Sequence, residues 1–402
     1  MSGSQALDRL MGEGRFLEAL AAVKKQPASD PLFSAIHADL LLQIGQASQS
    51  VEAARRILKT PRMTDAVAAR CHMTLGNCFR NSGDLASACE HFQKSIVLAD
   101  RAGDREQACW SHLRLMAAIA EAHGGDSAYA IVPTVRRRVA QLGSPHAACA
   151  LHAFVAEIET KRGFIDDATR HLRTAQAILA GHPNSWLEGL TEIAALCVSY
   201  LRSDVTEAAE HGRRALRSAT ISGHAVTKMA ATSNLGHIYL LLRDLTRANQ
   251  WLRKALHGWR QGGGAEMAIL DGLAQVHFAR GDLEGCERVL ALIHLPTQGL
   301  EDATYYQACT LLTRVRLLLK QRQSERAAEL ASIGQAIAEK RTVPSLAHSL
   351  RLLEAEALLM ADRAAEAGEL VCRVADASGE KPLEILPQVG RMLGKLHAAR
   401  GS

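Results

Sequence analysis

The chain has 402 residues, of which 48% are hydrophobic, 22% charged and only 4% aromatic. With ten prolines and a net charge of +5, this composition excludes a collagen, a disordered tail and a disulfide mini-scaffold, and it argues against a β-rich fold. A surplus of five positive charges over this length is too dilute for a nucleic-acid partner, and the one dense cluster, Arg136-Arg137-Arg138, reads as a solvated helix face.

At the N-terminus, Asp8 and Arg9 stand where a signal peptide would need its apolar run. Apolar periodicity and turn residues predict ten helical hairpins, at about 5–25, 32–59, 65–101, 105–142, 146–180, 185–219, 225–261, 265–293, 302–339 and 344–376, and a closing helix at 382–399. The longest uncharged stretch, Val139 to Ala156, is broken by Gly143-Ser144-Pro145 and reads as helix, turn, helix instead of a membrane span. Gly262-Gly263-Gly264, within 261–265, is the expected hinge, and 295–300 the next place for a change of pitch. Neither is long enough to separate domains, so residues 1–402 are expected to form one continuous array. Cys71, Cys78, Cys89, Cys109, Cys149, Cys197, Cys286, Cys309 and Cys372 lie singly, without CxxC spacing. Reduced thiols of a soluble, cytoplasmic, all-helical protein would be distributed in this way.

The strongest signal is internal repetition. Leu75-Gly76, then Phe79, Gly83-Asp84-Leu85, Ala88 and Phe92 correspond to Leu235-Gly236, Tyr239, Arg243-Asp244-Leu245, Ala248 and Leu252. A glycine in the first helix and an alanine in the second fit where two backbones cross closely, and the intervening large residues form the packing stripe. The Gly-Asp-Leu or Arg-Asp-Leu supplies the turn and an N-cap carboxylate for the second helix. The second-helix alanine is tracked as Ala19, Ala53, Ala88, Ala128, Ala168, Ala209, Ala248, Cys286, Ala327 and Ala365, with no turn glycine ahead of the last two.

This pattern resembles the tetratricopeptide repeat family over nearly the whole chain. Most intervals are near 40 residues, longer than the usual period of about 34, and in this the chain is similar to the superhelical sensor arrays of bacterial signal-responsive regulators. The resemblance implies an all-α, right-handed superhelical solenoid whose concave face, lined by the first helix of each hairpin, holds extended or helical peptide segments.

Chemistry is mostly missing. The sequence contains no HExxH, GxSxG, Walker loop or strand-borne GxGxxG. Cys71-His72 with Cys78, and Cys89 with His91, come nearest to a metal cluster, but Cys71 and Cys78 are two helical turns apart and read as structural thiols. No catalytic residue, cofactor or metal is expected.

Alignment on the Leu-Gly pair places Arg70, Asn77 and Arg80 on the groove face of the third hairpin, Glu157 and Lys161 on the fifth, Asn234 and His237 on the seventh, Asp271 and Gln275 on the eighth, and Arg316 on the ninth. Arg70, Asn77 and Arg80 share one helix face and could hold a carboxylate or peptide backbone. They loosely resemble the carboxylate clamp of chaperone-binding members of the family; the following hairpin supplies Trp110 and Arg114, only the latter basic. Asn234 is better suited to holding neighbouring helices in register than to contacting a ligand. Trp251 and Trp259 read mostly as core, and Tyr305-Tyr306 as a rim contact near Pro296–Gly299. The stripe Leu383, Ile385, Leu386, Val389, Met392, Leu393 and Leu396 reads as a cap over the last open face, or as a docking or homodimerising helix. The expected function is a non-enzymatic scaffold or adaptor holding a protein or peptide segment, without direct contact to nucleic acid or membrane. The alternative is a ligand- or peptide-responsive array that controls a separate effector.

Overall fold

The computed structural model describes residues 3–27, 29–61, 63–259, 263–294, 304–377 and 386–400. Among them no strand occurs, and ten helical hairpins follow one another. The first three pair α1 (Gly3–Gly12) with α2 (Phe16–Val23), α3 (Pro31–Gln43) with α4 (Ala47–Leu58), and α5 (Asp65–Ser82) with α6 (Leu85–Ala102). In the fourth, α7 (Arg105–His123) faces an arm broken into α8 (Gly125–Tyr129) and α9 (Val132–Leu142). Next come α10 (Pro145–Arg162) with α11 (Ile165–Gly181), α12 (Ser185–Leu201) with α13 (Val205–Ser222), and α14 (Ala225–Leu241) with α15 (Leu245–Gly258). The last three pair α16 (Gly263–Ala279) with α17 (Leu283–Ala291), α18 (Tyr305–Lys320) with α19 (Ser324–Lys340), and α20 (Pro344–Met360) with α21 (Ala364–Ala377). Helix α22 (Leu386–Arg400) follows, and its Val389, Met392 and Leu396 enter the core cluster of the last two hairpins.

Every turn within a hairpin uses one residue of positive φ: Gly14, Gly45, Gly83, Gly124, Gly163, Ser203, Arg243, Gly281, Arg322 and Asp362, with φ between 59° and 91°. Reversing direction in so few residues requires that conformation. The hairpins without a turn glycine therefore keep the turn and place another residue in it. Asp84, Asp204, Asp244 and Asp282 then cap the second helix, each accepting from the backbone N–H three residues on.

Four or five residues past each of these positions stands a small residue with no exposed surface: Ala19, Ser50, Ala88, Ala128, Ala168, Ala208, Ala248, Cys286, Ala327 and Ala367, all at 0%. Three positions differ from those tracked in the sequence, where Ala53, Ala209 and Ala365 stood in place of Ser50, Ala208 and Ala367. The crossing point is set by its distance from the turn, not by which nearby residue is alanine, and Ser50 fits because its hydroxyl donates to the Ala38 carbonyl at 2.7 Å. On the facing helices, a Cβ on Gly76 would stand 2.7 Å from Phe92, and one on Gly236 would stand 2.6 Å from Leu252. These are the close crossings that the Leu-Gly motif anticipates.

The first helices pack on one another along the inner side, α3 on α5, α5 on α7, and onward through α10, α12, α14, α16, α18 and α20. The superhelix is wound tightly enough that α5 also touches α16. Successive superhelical turns therefore meet along a seam. Asn184 Nδ2 donates to the Gly12 carbonyl at 2.8 Å, and the Ser185 N–H donates to that of Glu13 at 3.0 Å. A Cβ on Gly83 would stand 3.0 Å from the Gly263 Cα, and one on Gly124 would stand 2.6 Å from the Arg341 carbonyl oxygen. Thr342 Oγ1 donates to Asp126 Oδ2 at 3.1 Å beside that last contact.

Candidate functional site

The first helices thus line the inner side of the superhelix, its channel. Along its N-terminal stretch, Arg70 of α5 and Arg114 of α7 both face Asp39 of α3. Asp39 is 5% exposed, accepts from Gln43 Nε2 at 3.0 Å, and has its carboxyl pushed upward by burial, against the opposing influence of Arg70, Gln43 and Arg114. Arg114 lies over the Trp186 ring at 4.9 Å and the Phe154 ring at 5.9 Å. Burial and then the charge of Arg80 push its guanidinium down to about 10. His224, at the N-terminus of α14, packs against Trp186 and Phe16 and caps its own helix through Nδ1, which accepts from the Thr227 N–H at 3.1 Å. Burial, Arg114 and Arg80 push this imidazole down to about 3, so it is neutral.

Further along, Arg80 donates through Nε to Glu121 Oε1 at 3.0 Å, and Lys161 donates to Glu157 at 2.8 Å. Lys161 also lies 5.4 Å from the Tyr305 ring centroid. Tyr306 packs against Gly264 and faces Lys161, Glu121, Glu157 and Arg80, and burial pushes its hydroxyl up to about 12. The tyrosine pair read as a rim contact therefore lies inside the channel, because the seam brings α18 opposite α7 and α10.

In the C-terminal stretch, Asp271 of α16 is 6% exposed; Oδ2 accepts from Gln275 at 2.8 Å, while Oδ1 has no hydrogen-bond partner among the described residues. Burial raises its carboxyl to about 6, against the opposing influence of Arg316 and Arg314. Arg314 turns away to donate to the Leu290 and Ile293 carbonyls, at 2.7 and 3.2 Å. Arg316 is half-buried and faces Asp271, Tyr200 and Glu356.

Of the expected groove residues, Arg70, Arg80 and Arg114 come together, as do Asp271, Gln275 and Arg316. Asn77 is buried and Asn234 half-buried on their helices. His237 fills the space beside Gly272, where a Cβ would stand 2.7 Å from its ring, and its imidazole is pushed down by burial. Sequence reasoning missed Asp39 and Glu121, which the neighbouring hairpins bring to Arg70 and Arg80, and Trp186 and His224, which come from hairpins further along the chain. Trp259 is buried, and Trp251 stacks on Tyr239 with centroids 6.5 Å apart. Arg138 of the basic triplet pairs with Asp100 on the outer face at 2.6 Å. Among the described residues, no group of three or more His, Cys, Asp or Glu is arranged to hold a metal, and no helix is long and apolar enough to cross a membrane.

Repeated helical hairpins around a concave channel define an α-solenoid, and its fold is the tetratricopeptide repeat superhelix. No family model and no curated protein matches the sequence. Among solved structures it is similar to a chain of the APC/C hetero-tetramer Cut9–Hcn1, with a TM-score of 0.66 and 13% identity, covering 97% of this chain and 69% of that one. It is also similar to a Rap protein complexed with competence and sporulation factor, with a TM-score of 0.56 and 12% identity, covering 91% of this chain and 98% of that one. At such identities the likeness is one of fold.

Proposed function

We propose that this chain is a non-enzymatic interaction protein whose channel holds an acidic segment of a protein partner, with Arg114 and Arg70 as its anchors. The observation that carries this reading is Arg114. Its guanidinium is backed by Trp186 and Phe154 and has no carboxylate at ion-pair distance among the described residues, whereas Arg80 is already committed to Glu121. A cation removed from water with no carboxylate at ion-pair distance is favoured to acquire one. This reading moves the anchor from the Arg70, Asn77 and Arg80 face to the pair Arg70 and Arg114. Helix α22 serves as the cap of the array, covering its last hairpins.

The test is affinity purification with mass spectrometry from the protein's own cells, beside an Arg70→Glu/Arg114→Glu variant shown by circular dichroism to be folded. The expected result is a partner lost in the variant whose acidic segment binds the wild type as a peptide. Arg114→Ala should weaken that peptide about tenfold or more, as loss of a charge-assisted hydrogen bond does. A partner retained by the double variant would overturn the assignment and move the interface to α22 or the convex face.

The second reading, a ligand-responsive array acting on a separate effector, is favoured by the seam. A channel closed by contacts between hairpins far apart in sequence changes its access when those contacts open. A ligand-induced change in radius of gyration, measured by small-angle scattering, would favour it over a rigid scaffold.

A further inference from the structure

Outside the channel, one position within the hairpins recurs every 40 residues. On the first helix it is held by His72, His112, His152 and Glu192, and on the second, 19 residues further on, by His91, Ile131, His171 and His211. In the third and fifth hairpins both partners are histidine and their rings face each other. His72 Nδ1 stands 2.8 Å from His91 Nδ1, and His152 Nδ1 stands 2.7 Å from His171 Nδ1, with centroids 5.0 Å apart in both pairs. In the sixth, Glu192 and His211 meet at 2.6 Å, but Arg214 also holds the carboxylate at 3.0 Å.

Two neutral imidazoles bridged by one proton present the donor set that divalent transition metals prefer. With metal–nitrogen bonds of about 2.1 Å, two donors in adjacent positions of an octahedral ion stand about 3 Å apart, and those of a tetrahedral ion about 3.4 Å. Both pairs fall within a few tenths of an ångström of the first value, so ring rotation, with the bridging proton leaving Nδ1 and the donor ring taking its Nε2–H tautomer, converts the hydrogen bond into a chelate. We propose that His72 with His91, and His152 with His171, each bind one divalent transition-metal ion of the imidazole-preferring class, with water completing the coordination. Each ion would tie the two arms of its hairpin together.

The surroundings rank the two. His72 and His91 face Glu90 and Asp84 as well as Lys94 and Arg55, and Phe79 stacks on His91 at 5.2 Å. His152 and His171 face the cations Arg136 and Arg170. The first pair is therefore the tighter site. All four imidazoles have lowered proton affinity, with burial the leading cause, so protons compete little with metal at neutral pH.

The experiment is calorimetric titration of untagged, metal-free protein with nickel chloride, in a Cys372→Ser background because that thiol is exposed. Two sites are expected, both removed by EDTA. His72→Gln and His91→Gln should each abolish the tighter one, and His171→Gln the weaker. Nickel should raise the thermal midpoint of the parent but not of a His91→Gln/His171→Gln double variant. Absence of binding, or a stoichiometry that these folded variants leave at two, would overturn the proposal. Two independent substitutions at the first pair guard against loss through misfolding of one.

Discussion

The two halves of the array make the same ten turns with different residues. In hairpins one to five the residue of positive φ is glycine every time; in hairpins six to ten it is Ser203, Arg243, Gly281, Arg322 and Asp362. Gly124 also has a ψ of 175° that glycine alone adopts readily. Conformational freedom does not explain the other four glycines of the first half, since Ser203, Arg243, Arg322 and Asp362 hold the same sign of φ. The seam does. A Cβ on Gly14, Gly45, Gly83, Gly124 or Gly163 would meet Asn184, Ala225, Gly263, Arg341 or Pro344 of the next superhelical turn, at 2.4 to 3.4 Å. A Cβ on Gly281 would meet nothing within 4 Å. Among the described residues, the turns of the first half meet another turn of the superhelix and the Gly281 turn does not, so the glycines of the first half answer a close approach as well as a dihedral angle.

The largest expected effect follows from substituting matched glycines on either side of this divide. Gly124→Ala places a methyl group 2.6 Å from the Arg341 carbonyl oxygen at a φ of 91° and a ψ of 175°, so either the α19–α20 connection retreats or the turn deforms. Gly281→Ala faces only the dihedral cost, about 1 kcal/mol. The overpacked site adds about 1–3 kcal/mol to that. Urea denaturation should therefore separate the two variants by more than 1 kcal/mol, and hydrogen exchange in Gly124→Ala should accelerate at 341–347. Equal losses in the two variants would dissolve the comparison.

Much of this was legible in the sequence, for physical reasons that differ by region. The helices and their pairing come from a local period, and the Leu-Gly crossings at Gly76 and Gly236 were readable because glycine within a helix has a cost that only close packing offsets. Second-helix register slipped at Ser50, Ala208 and Ala367, where another alanine stands one to three residues away and alanine was taken as the mark of the crossing. The channel was legible one helix at a time: Arg70 and Arg80 were placed on one face, but Glu121 comes from another hairpin and takes Arg80 out of the free set. The seam leaves no local trace. Asn184 bonding to Gly12, or Thr342 to Asp126, joins residues 172 and 216 positions apart, and nothing in either neighbourhood announces the other. The same ignorance of the seam put Tyr305 and Tyr306 on a rim.

A second contrast is electrostatic, and acid should expose it. His224 closes the cation-lined stretch as a neutral cap, pushed down to about 3 by burial, Arg114 and Arg80. A histidine whose folded pKa lies below its unfolded value of about 6.5 contributes stability that is complete above 6.5 and is lost as pH falls toward the folded value. His72 and His171, each pushed down to about 4 by burial first, act in the same direction. Asp271 acts oppositely, because its carboxyl is raised to about 6 by burial; its destabilising influence above 6 fades as it takes up a proton between about 6 and 4. Urea midpoints should therefore fall from pH 7 to pH 5. His224→Asn, which keeps a capping acceptor without a titrating group, should flatten that fall, and Asp271→Asn should steepen it. A His224→Asn variant with the wild-type slope would remove His224 from the account.

The smallest effect sharpens the first comparison from its other side. Arg322 and Asp362 of the second half hold φ of 60° and 59°. An ordinary side chain in that conformation carries a penalty of about 1 kcal/mol or more that glycine does not, while glycine gains disorder in the unfolded chain worth about half to all of it. Arg322→Gly and Asp362→Gly should therefore stabilise the array by at most about 1 kcal/mol each, and additively, since they lie in separate turns. Both substitutions should leave hydrogen exchange along the seam unchanged, because neither turn touches it among the described residues. A gain beyond that bound, or slowed exchange at Gly124 and Arg341, would mean that the two halves are coupled and that glycine in the first half is there for the dihedral angle after all.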